Sequence, residues 1–255
     1  MIPTLTSVSS TLNNCTYRYG LWSMVYRPFR YTFCSTLSMS IQSNTEILYF
    51  YDALCGWCYG FSPVISRFNE KYEDQIRFRV FSGGMMMGER SGPINTVAPY
   101  IKNSYRDVEE RAGIKFGDAF LKNILEPGTA VLSSLEPAIA MAVFKSFESG
   151  KDIRFASALQ KAIYYDGILS SDLKAMIPYA VELGIDEQEF RIRLNDPLYH
   201  DRAFDDFRTC QRFGIQGFPS TVLLHEDKYY LLGHGYTDFE TLESRMKEVL
   251  AEALV

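Results

Sequence analysis

The sequence predicts an α/β protein in which a large all-helical segment interrupts a smaller fold of strands and helices. Three features indicate this class: a strand–helix–strand pattern over residues 47–80, a stretch with only helical periodicity over residues 83–195, and a late β-hairpin followed by a helix. The predicted order is βαβ, then a helical block, then αββα.

The first unit begins with the apolar run at residues 47–51, which is typical of a strand buried on both faces. After residues 52–58, a helix is predicted through Tyr72, because Phe61, Ile65 and Phe68 recur at spacings of three and four. Residues 76–80 alternate in polarity and predict a second strand. A strand, a helix and a strand in such a short stretch predict a right-handed βαβ unit.

The middle of the chain shows helix starts and stops but no strand pattern. Residues 133–136 match a capping box, and Gly184 is placed to end a later helix. After this block, residues 221–224 and 229–232 flank a short polar turn and predict a hairpin. A second capping box at residues 237–240 opens the last predicted helix.

Composition excludes several classes of protein. The chain has 255 residues, of which 47% are hydrophobic and 22% charged, so a wholly disordered, collagen-like or coiled-coil chain is excluded. The formal net charge of -5 argues against a nucleic-acid partner. No apolar run approaches the length of a membrane-spanning helix, and we therefore expect no membrane partner.

The first 45 residues differ from the rest, and we expect them to form a disordered leader outside the fold. They contain no Asp or Glu, and Ser and Thr are frequent. The best apolar stretch, residues 21–26, is interrupted by Ser23, which argues against a secretory signal. The composition matches an organellar transit peptide, although the favoured interpretation is a translation start at Met39. The latter predicts a cytoplasmic protein.

Five cysteines are present, and two of them form a close pair; they are Cys15, Cys34, Cys55, Cys58 and Cys210. Cys55 lies where the first strand gives way to the first helix, and Cys58 follows one helical turn later. A helix N-terminus favours the thiolate, which is the nucleophile in thiol–disulfide exchange. The pair therefore predicts redox chemistry.

A pair of cysteines at this spacing also occurs in zinc sites. That alternative requires two more ligands, and the candidates, Cys210, His200, His225 and His234, do not form a second close pair. We therefore expect no metal site.

The segment from Tyr51 to Phe61, the helical insertion, and residues 217–221 before a hairpin together resemble the DsbA-type branch of the thioredoxin superfamily. The likeness is strongest to its cytoplasmic, FrnE-like members and covers the chain from about residue 46 onward. It implies a thioredoxin-like domain formed by residues 46–84 and 196–255, with residues 85–195 as a helical insertion domain.

The resemblance also implies roles for single residues. Cys55 matches the nucleophilic cysteine and Cys58 the resolving cysteine. The Phe218–Pro219 bond is expected to be cis and to face the cysteines, with the backbone of Phe218 offered to the substrate chain. Apart from the resemblance, Trp57 is expected from its place between the cysteines to shield the disulfide and contact substrate, or else to pack on the surface.

The resemblance implies a dithiol–disulfide oxidoreductase or isomerase with no bound cofactor, acting on disulfide- or thiol-containing proteins or small molecules. Gly56 and Trp57 stand between the cysteines, without the histidine of the strongly oxidising periplasmic enzymes, so reductase or isomerase activity is open. Two alternatives exist. The first is a glutathione-dependent isomerase or transferase like the kappa-type and hydroxychromene-carboxylate isomerase relatives, which carry a serine where Cys55 stands. The second is a non-catalytic peptide-binding module.

Two features near the cysteine pair have two interpretations each. Asp52 is either a proton acceptor near Cys58 or a strand-end turn residue. Residues 85–87, three methionines, either bind substrate or fill the core. Cys210, with Phe207 and Phe213 on either side, is expected to be a small buried hydrophobe.

Overall fold

The computed structural model describes residues 45–252, which lie within one unit of the chain, residues 41–255. The predicted leader, residues 1–45, lies outside the described part except for Thr45, where the first strand begins. No described helix is long and apolar enough to cross a membrane.

Within residues 45–252, six strands form two sheets. The strands are β1 (Thr45–Tyr51), β2 (Arg77–Ser82), β3 (Gly92–Pro93), β4 (Val131–Leu132), β5 (Ser220–His225) and β6 (Lys228–His234). The main sheet has the order β2-β1-β5-β6, in which β1 and β2 are parallel and the other neighbours antiparallel. The short strands β3 and β4 pair with each other.

Nine helices surround the sheets in the described part. They are α1 (Gly56–Tyr72), α2 (Ala98–Ala112), α3 (Asp118–Phe120, continued by a π-helical turn at Leu121–Leu125), α4 (Leu135–Lys145), α5 (Asp152–Tyr164), α6 (Ile177–Glu182), α7 (Glu187–Leu194), α8 (Pro197–Arg212) and α9 (Phe239–Glu252). Short 3-10 turns occur at Gly88–Arg90, Ile94–Thr96 and Leu173–Met176.

Strand β1 is buried on both faces, as its continuous apolar run predicts. Tyr49 and Tyr51 belong to the large core shared with α1, α5 and α9, whereas Leu48 and Phe50 belong to a smaller cluster with Cys210 of α8. Because side chains alternate along a strand, one apolar run supplies two cores. The carboxyl end of β1 is thereby fixed from both sides.

The predicted α/β architecture with interrupting helices is confirmed. One detail of the insertion differs, because the paired strands β3 and β4 lie within it. Each has two residues, too few for a period-two pattern to be visible in the sequence. The division of the chain into residues 46–84, 85–195 and 196–255 stays a prediction.

Candidate active site

The turn between β1 and α1 places both cysteines of the pair at the start of the helix. Cys55 is the N-cap residue, with extended backbone (φ −91°, ψ 111°), and its sulfur accepts a hydrogen bond from the Cys58 N–H at 3.3 Å. This bond satisfies one of the free N–H groups in the first helical turn.

The two cysteines differ in their surroundings. Both are free thiols, but Cys58 is fully buried, whereas 8% of Cys55 is exposed. Burial raises the pKa of Cys58 well above its ordinary value, and the neighbouring Cys55 adds to the rise. Cys58 is therefore a protonated thiol at neutral pH, and Cys55 is the more exposed of the two.

Asp52 holds the turn that precedes Cys55. One carboxylate oxygen accepts from the Leu54 N–H at 2.9 Å and from the Ser134 hydroxyl at 2.9 Å, and the other accepts from the Met85 N–H at 2.7 Å. Burial raises the pKa of Asp52, and these hydrogen bonds oppose the rise. Asp52 thus joins the turn before α1 to the segment after β2 and to the start of α4.

Side chains of α5 also hold the turn and the start of α1 in place. The Ser62 hydroxyl lies 3.2 Å from the Cys58 carbonyl oxygen and 2.7 Å from the Gln160 carboxamide. The Tyr164 hydroxyl donates to the Leu54 carbonyl at 2.5 Å. Both Gln160 and Tyr164 are buried. Neither residue was identified from the sequence, because isolated Gln and Tyr residues about 100 positions away carry no motif.

The loop before β5 faces Cys55. The Phe218–Pro219 peptide bond is cis, as the resemblance implies, and the Cys55 thiol donates to the Phe218 carbonyl oxygen at 3.3 Å. The Ser220 hydroxyl donates to the Gly217 carbonyl at 2.8 Å and lies 3.0 Å from the His234 imidazole. The Gly235 N–H donates to the Pro219 carbonyl, so the residue that follows β6 also holds the loop.

Gly83 makes room for this loop. A Cβ at position 83 would lie 2.2 Å from the Phe218 ring, closer than real Cβ contacts come. The ring therefore packs directly on the backbone after β2. The requirement for glycine here comes from the ring's position, which the sequence does not show.

Trp57 and the methionines after β2 lie beside the pair. Trp57 is half-buried, with its ring centroid 6.3 Å from that of Tyr236. Trp57, Met85 and Met86 all line an apolar cavity that also reaches Cys55. Two of the three methionines at residues 85–87, for which the sequence allowed either substrate binding or core filling, therefore line this cavity.

Cys210 lies in the small cluster on the other face of the sheet. It is buried, as predicted, and its thiol donates to the Ser82 carbonyl at 3.3 Å. Burial raises the pKa of Cys210 to about 12. Within residues 45–252, no group of three or more His, Cys, Asp or Glu side chains is arranged to hold a metal ion.

Comparison with known proteins gives the family. Residues 46–247 match the DSBA-like thioredoxin domain family, whereas no curated protein sequence matches the chain. Similar solved structures include a candidate protein disulfide isomerase from Nitrosomonas europaea, with 24% identity, a TM-score of 0.71, and coverage of 82% of this chain and 98% of that one. The cytosolic disulfide reductase DsbM from Pseudomonas aeruginosa has 23% identity, a TM-score of 0.67, and coverage of 82% and 100%.

A third similar structure is a 2-hydroxychromene-2-carboxylate isomerase, with 15% identity, a TM-score of 0.57, and coverage of 82% of this chain and 97% of that one. At these identities the structures establish the fold alone, and they confirm the predicted thioredoxin-like fold with a helical insertion. The family assignment comes from the sequence match, which covers most of the chain. The chain belongs to the DSBA-like thioredoxin domain family.

Proposed function

We propose that this chain is a dithiol–disulfide oxidoreductase in which Cys55 and Cys58 exchange electrons with disulfide substrates. The Cys55 thiolate attacks a substrate disulfide and forms a mixed disulfide, and Cys58 then attacks Cys55 to release the product. The proposed substrates are disulfide- or thiol-containing proteins or small molecules. The solved structure of DsbM with GSH makes glutathione a reasonable small thiol to test.

The observation that carries the proposal is the hydrogen bond from the Cys58 N–H to the Cys55 sulfur at the N-terminus of α1. It supports a reactive Cys55 and holds Cys58 one helical turn away, on the same side of the turn. Burial raises the pKa of Cys58 and keeps that thiol protonated at neutral pH, which leaves Cys55 as the attacking sulfur in the first step. Phe218 and Pro219, beside Cys55, support a backbone contact with substrate.

The test compares three single variants in the glutathione-dependent reduction of a disulfide. Cys55→Ser should abolish turnover, and Cys58→Ser, mixed with the disulfide before any glutathione is added, should keep substrate disulfide-bonded to Cys55. The matched control is Cys210→Ser, which alters a buried thiol on the other face of the sheet and should leave turnover unchanged. Full activity of Cys55→Ser would contradict the proposal.

The alternative activity, a glutathione-dependent isomerase or transferase, makes a different demand on Cys58. Such a reaction forms no disulfide on the enzyme and therefore proceeds without a resolving thiol. It is favoured if Cys58→Ser keeps full turnover on an isomerisation substrate. A peptide-binding module would bind peptide equally well after both cysteines are replaced.

A further inference from the structure

We propose that the cavity beside Cys55 selects disulfides in which one half is an apolar thiol, and that Cys55 attacks the sulfur carrying that half. This inference rests on the proposed dithiol function and names its substrate class. It is carried by the size of the cavity, the chemistry of its wall, and the position of Cys55 within that wall.

The cavity has a volume of about 270 Å³ and lies between the start of α1 and residues of the insertion. A cavity of about 150 Å³ lined by apolar side chains is enough to hold benzene. The space beside Cys55 therefore accommodates a phenyl ring with a short alkyl chain. It is too small for a folded polypeptide segment.

The wall of the cavity is apolar. Aromatic and aliphatic side chains form most of it, including those of Tyr105, Val108, Phe116, Phe120 and Ile163. No Asp, Glu, Lys, Arg or His is among its described lining residues. Burying a charged group here without a partner is costly, so the charged ends of a thiol such as glutathione stay outside.

The mouth of the cavity is also apolar. Tyr100, Val131 and Leu169 line it and have exposed fractions of 66%, 47% and 42%. Large hydrophobic side chains that remain exposed around one opening are typical of a binding site. An apolar substituent that enters here is removed from water at the mouth and reaches the part of the cavity that is lined by Cys55.

The position of Cys55 fixes which sulfur is attacked. Cys55 and Gly56 belong to the wall, so a substituent in the cavity brings its own sulfur next to the Cys55 sulfur. In the first step the Cys55 thiol gives its proton to water, and the thiolate forms a bond to that sulfur while the substrate S–S bond breaks. The other half leaves as a thiolate on the solvent side and takes a proton from water.

The second step returns the apolar half. The Cys58 sulfur attacks the Cys55 sulfur while the bond from Cys55 to the apolar half breaks, and the Cys58 proton passes to the departing sulfur, so that the Cys55–Cys58 disulfide forms and the apolar thiol is released. The substrate disulfide has then gained two electrons and the pair has lost two. Two molecules of a small thiol such as glutathione reduce the pair again and become a disulfide themselves.

The test uses two mixed disulfides of glutathione, one with 2-phenylethanethiol and one with 2-mercaptoethanol. We expect the full chain to reduce the phenylethyl compound with a kcat/KM at least about tenfold higher, since burial of the ring is the main difference between the two. In Cys58→Ser, the mass of the adduct on Cys55 at early times should be that of the phenylethyl half.

Two variants change the cavity and one serves as control. Ala130→Phe fills the cavity, and Leu169→Glu places a charge at its mouth; both should lower the preference for the phenylethyl compound to within about twofold. The control is Leu198→Glu, a leucine of similar exposure (46%) outside the cavity, which should leave both rates unchanged.

A redox-inert probe gives a measurement that needs no variant. 2-Phenylethanol should compete with the phenylethyl disulfide in the unaltered chain. Equal kcat/KM values for the two disulfides, or an early adduct that is mainly glutathione, would overturn the inference while leaving the dithiol mechanism intact. Failure of Cys58→Ser to form any adduct would instead count against the proposed function.

Discussion

The Cys55 thiol donates a hydrogen bond to the Phe218 carbonyl oxygen at 3.3 Å, across 163 positions of sequence. The contact joins the start of α1 to the loop that precedes β5. Its geometry depends on both sides: Asp52 holds the turn before Cys55, and the glycine backbone at position 83 seats the Phe218 ring. Each of these supports can be altered separately.

Gly83→Ala should displace the Phe218 ring and weaken the site. The added Cβ would lie 2.2 Å from that ring, and overpacking of this kind costs about 1–3 kcal/mol. Urea unfolding measures the loss of stability, and disulfide reduction measures the loss of activity. Gly92→Ala, at a position where nothing lies within 4 Å of the new Cβ, is the control.

The same clash predicts that the effects of substitutions at Gly83 and Phe218 on stability are coupled. In a Phe218→Ala background the obstacle is absent, so Gly83→Ala should cost much less there than in the unaltered chain. Additive free energies for the double variant would mean that the ring does not limit position 83.

Asp52→Asn should destabilise the fold at neutral pH, because it replaces one carboxylate oxygen with an amide nitrogen that cannot accept a hydrogen bond. Depending on which oxygen is replaced, either the Met85 N–H or both the Leu54 N–H and the Ser134 hydroxyl lose their acceptor. A buried donor left without a partner costs about 1–3 kcal/mol. Equilibrium unfolding in urea gives the difference between the two proteins.

The difference should also depend on pH. The folded pKa of Asp52 is raised, so the folded state binds the proton more tightly than the unfolded state. The stability of the unaltered chain relative to Asp52→Asn should therefore increase as pH falls from neutral through the raised pKa, and level off below the ordinary value of 3.8. Asp118→Asn, at an 81% exposed side chain, is the control substitution. A difference that shrinks with falling pH would contradict the prediction.

Lys145→Met should destabilise the fold, because it leaves the buried carboxylate of Asp206 without its charged partner. The Lys145 ammonium lies 2.9 and 2.8 Å from the two Asp206 oxygens, and the side chains are 27% and 8% exposed. Removing one partner of a buried pair costs about 3 kcal/mol. Thermal or urea unfolding measures the loss.

The control for that pair is Lys122→Met. Lys122 pairs with Asp118 at the surface, where the side chains are 66% and 81% exposed, and such pairs contribute at most about 1 kcal/mol. Equal losses for Lys145→Met and Lys122→Met would show that burial of Asp206 does not matter.

Iodoacetamide should label Cys55 before the other two described cysteines. Burial raises the pKa of Cys58 and that of Cys210, the latter to about 12, so both have little reactive thiolate near neutral pH. Peptide mapping by mass should show Cys55 labelled at least about tenfold faster. Labelling of Cys58 or Cys210 at the rate of Cys55 would contradict the asymmetry of the pair.

Local sequence patterns predicted most of the main sheet and the position of the pair. The run at residues 47–51 became the centre of β1, and the hairpin forms at Glu226 and Asp227, which both have positive φ. Cys55 lies at the helix start because a strand signal and a helix signal meet there. These features depend on neighbours in the chain, which is why spacing and polarity reveal them.

The supports of the site could not be predicted in the same way. The sequence indicated a capping box at residues 133–136, but the N-cap residue of α4 is Ser134, one position later. Its hydroxyl donates to Asp52 and accepts from the Met86 N–H instead of capping the helix, whereas the Ser133 hydroxyl accepts from the Leu135 N–H. Gln160, Tyr164 and the cavity wall reach the site only through tertiary packing. A side chain's partner across the fold leaves no periodic signal in the sequence.

The central claim is that Cys55 and Cys58 form one reversible dithiol–disulfide couple. Equilibration in glutathione redox buffers, followed by acid quenching, alkylation and mass mapping, tests it most directly. The Cys55 sulfur has the Cys58 N–H and the Phe218 carbonyl as hydrogen-bond partners, and neither carries the positive charge that would stabilise the reduced form of a strong oxidant. We expect a single two-electron transition with a midpoint nearer the value of thioredoxin, about −270 mV, than that of DsbA, about −120 mV. Independent glutathionylation of the two cysteines, with no disulfide between them at any buffer ratio, would contradict the claim.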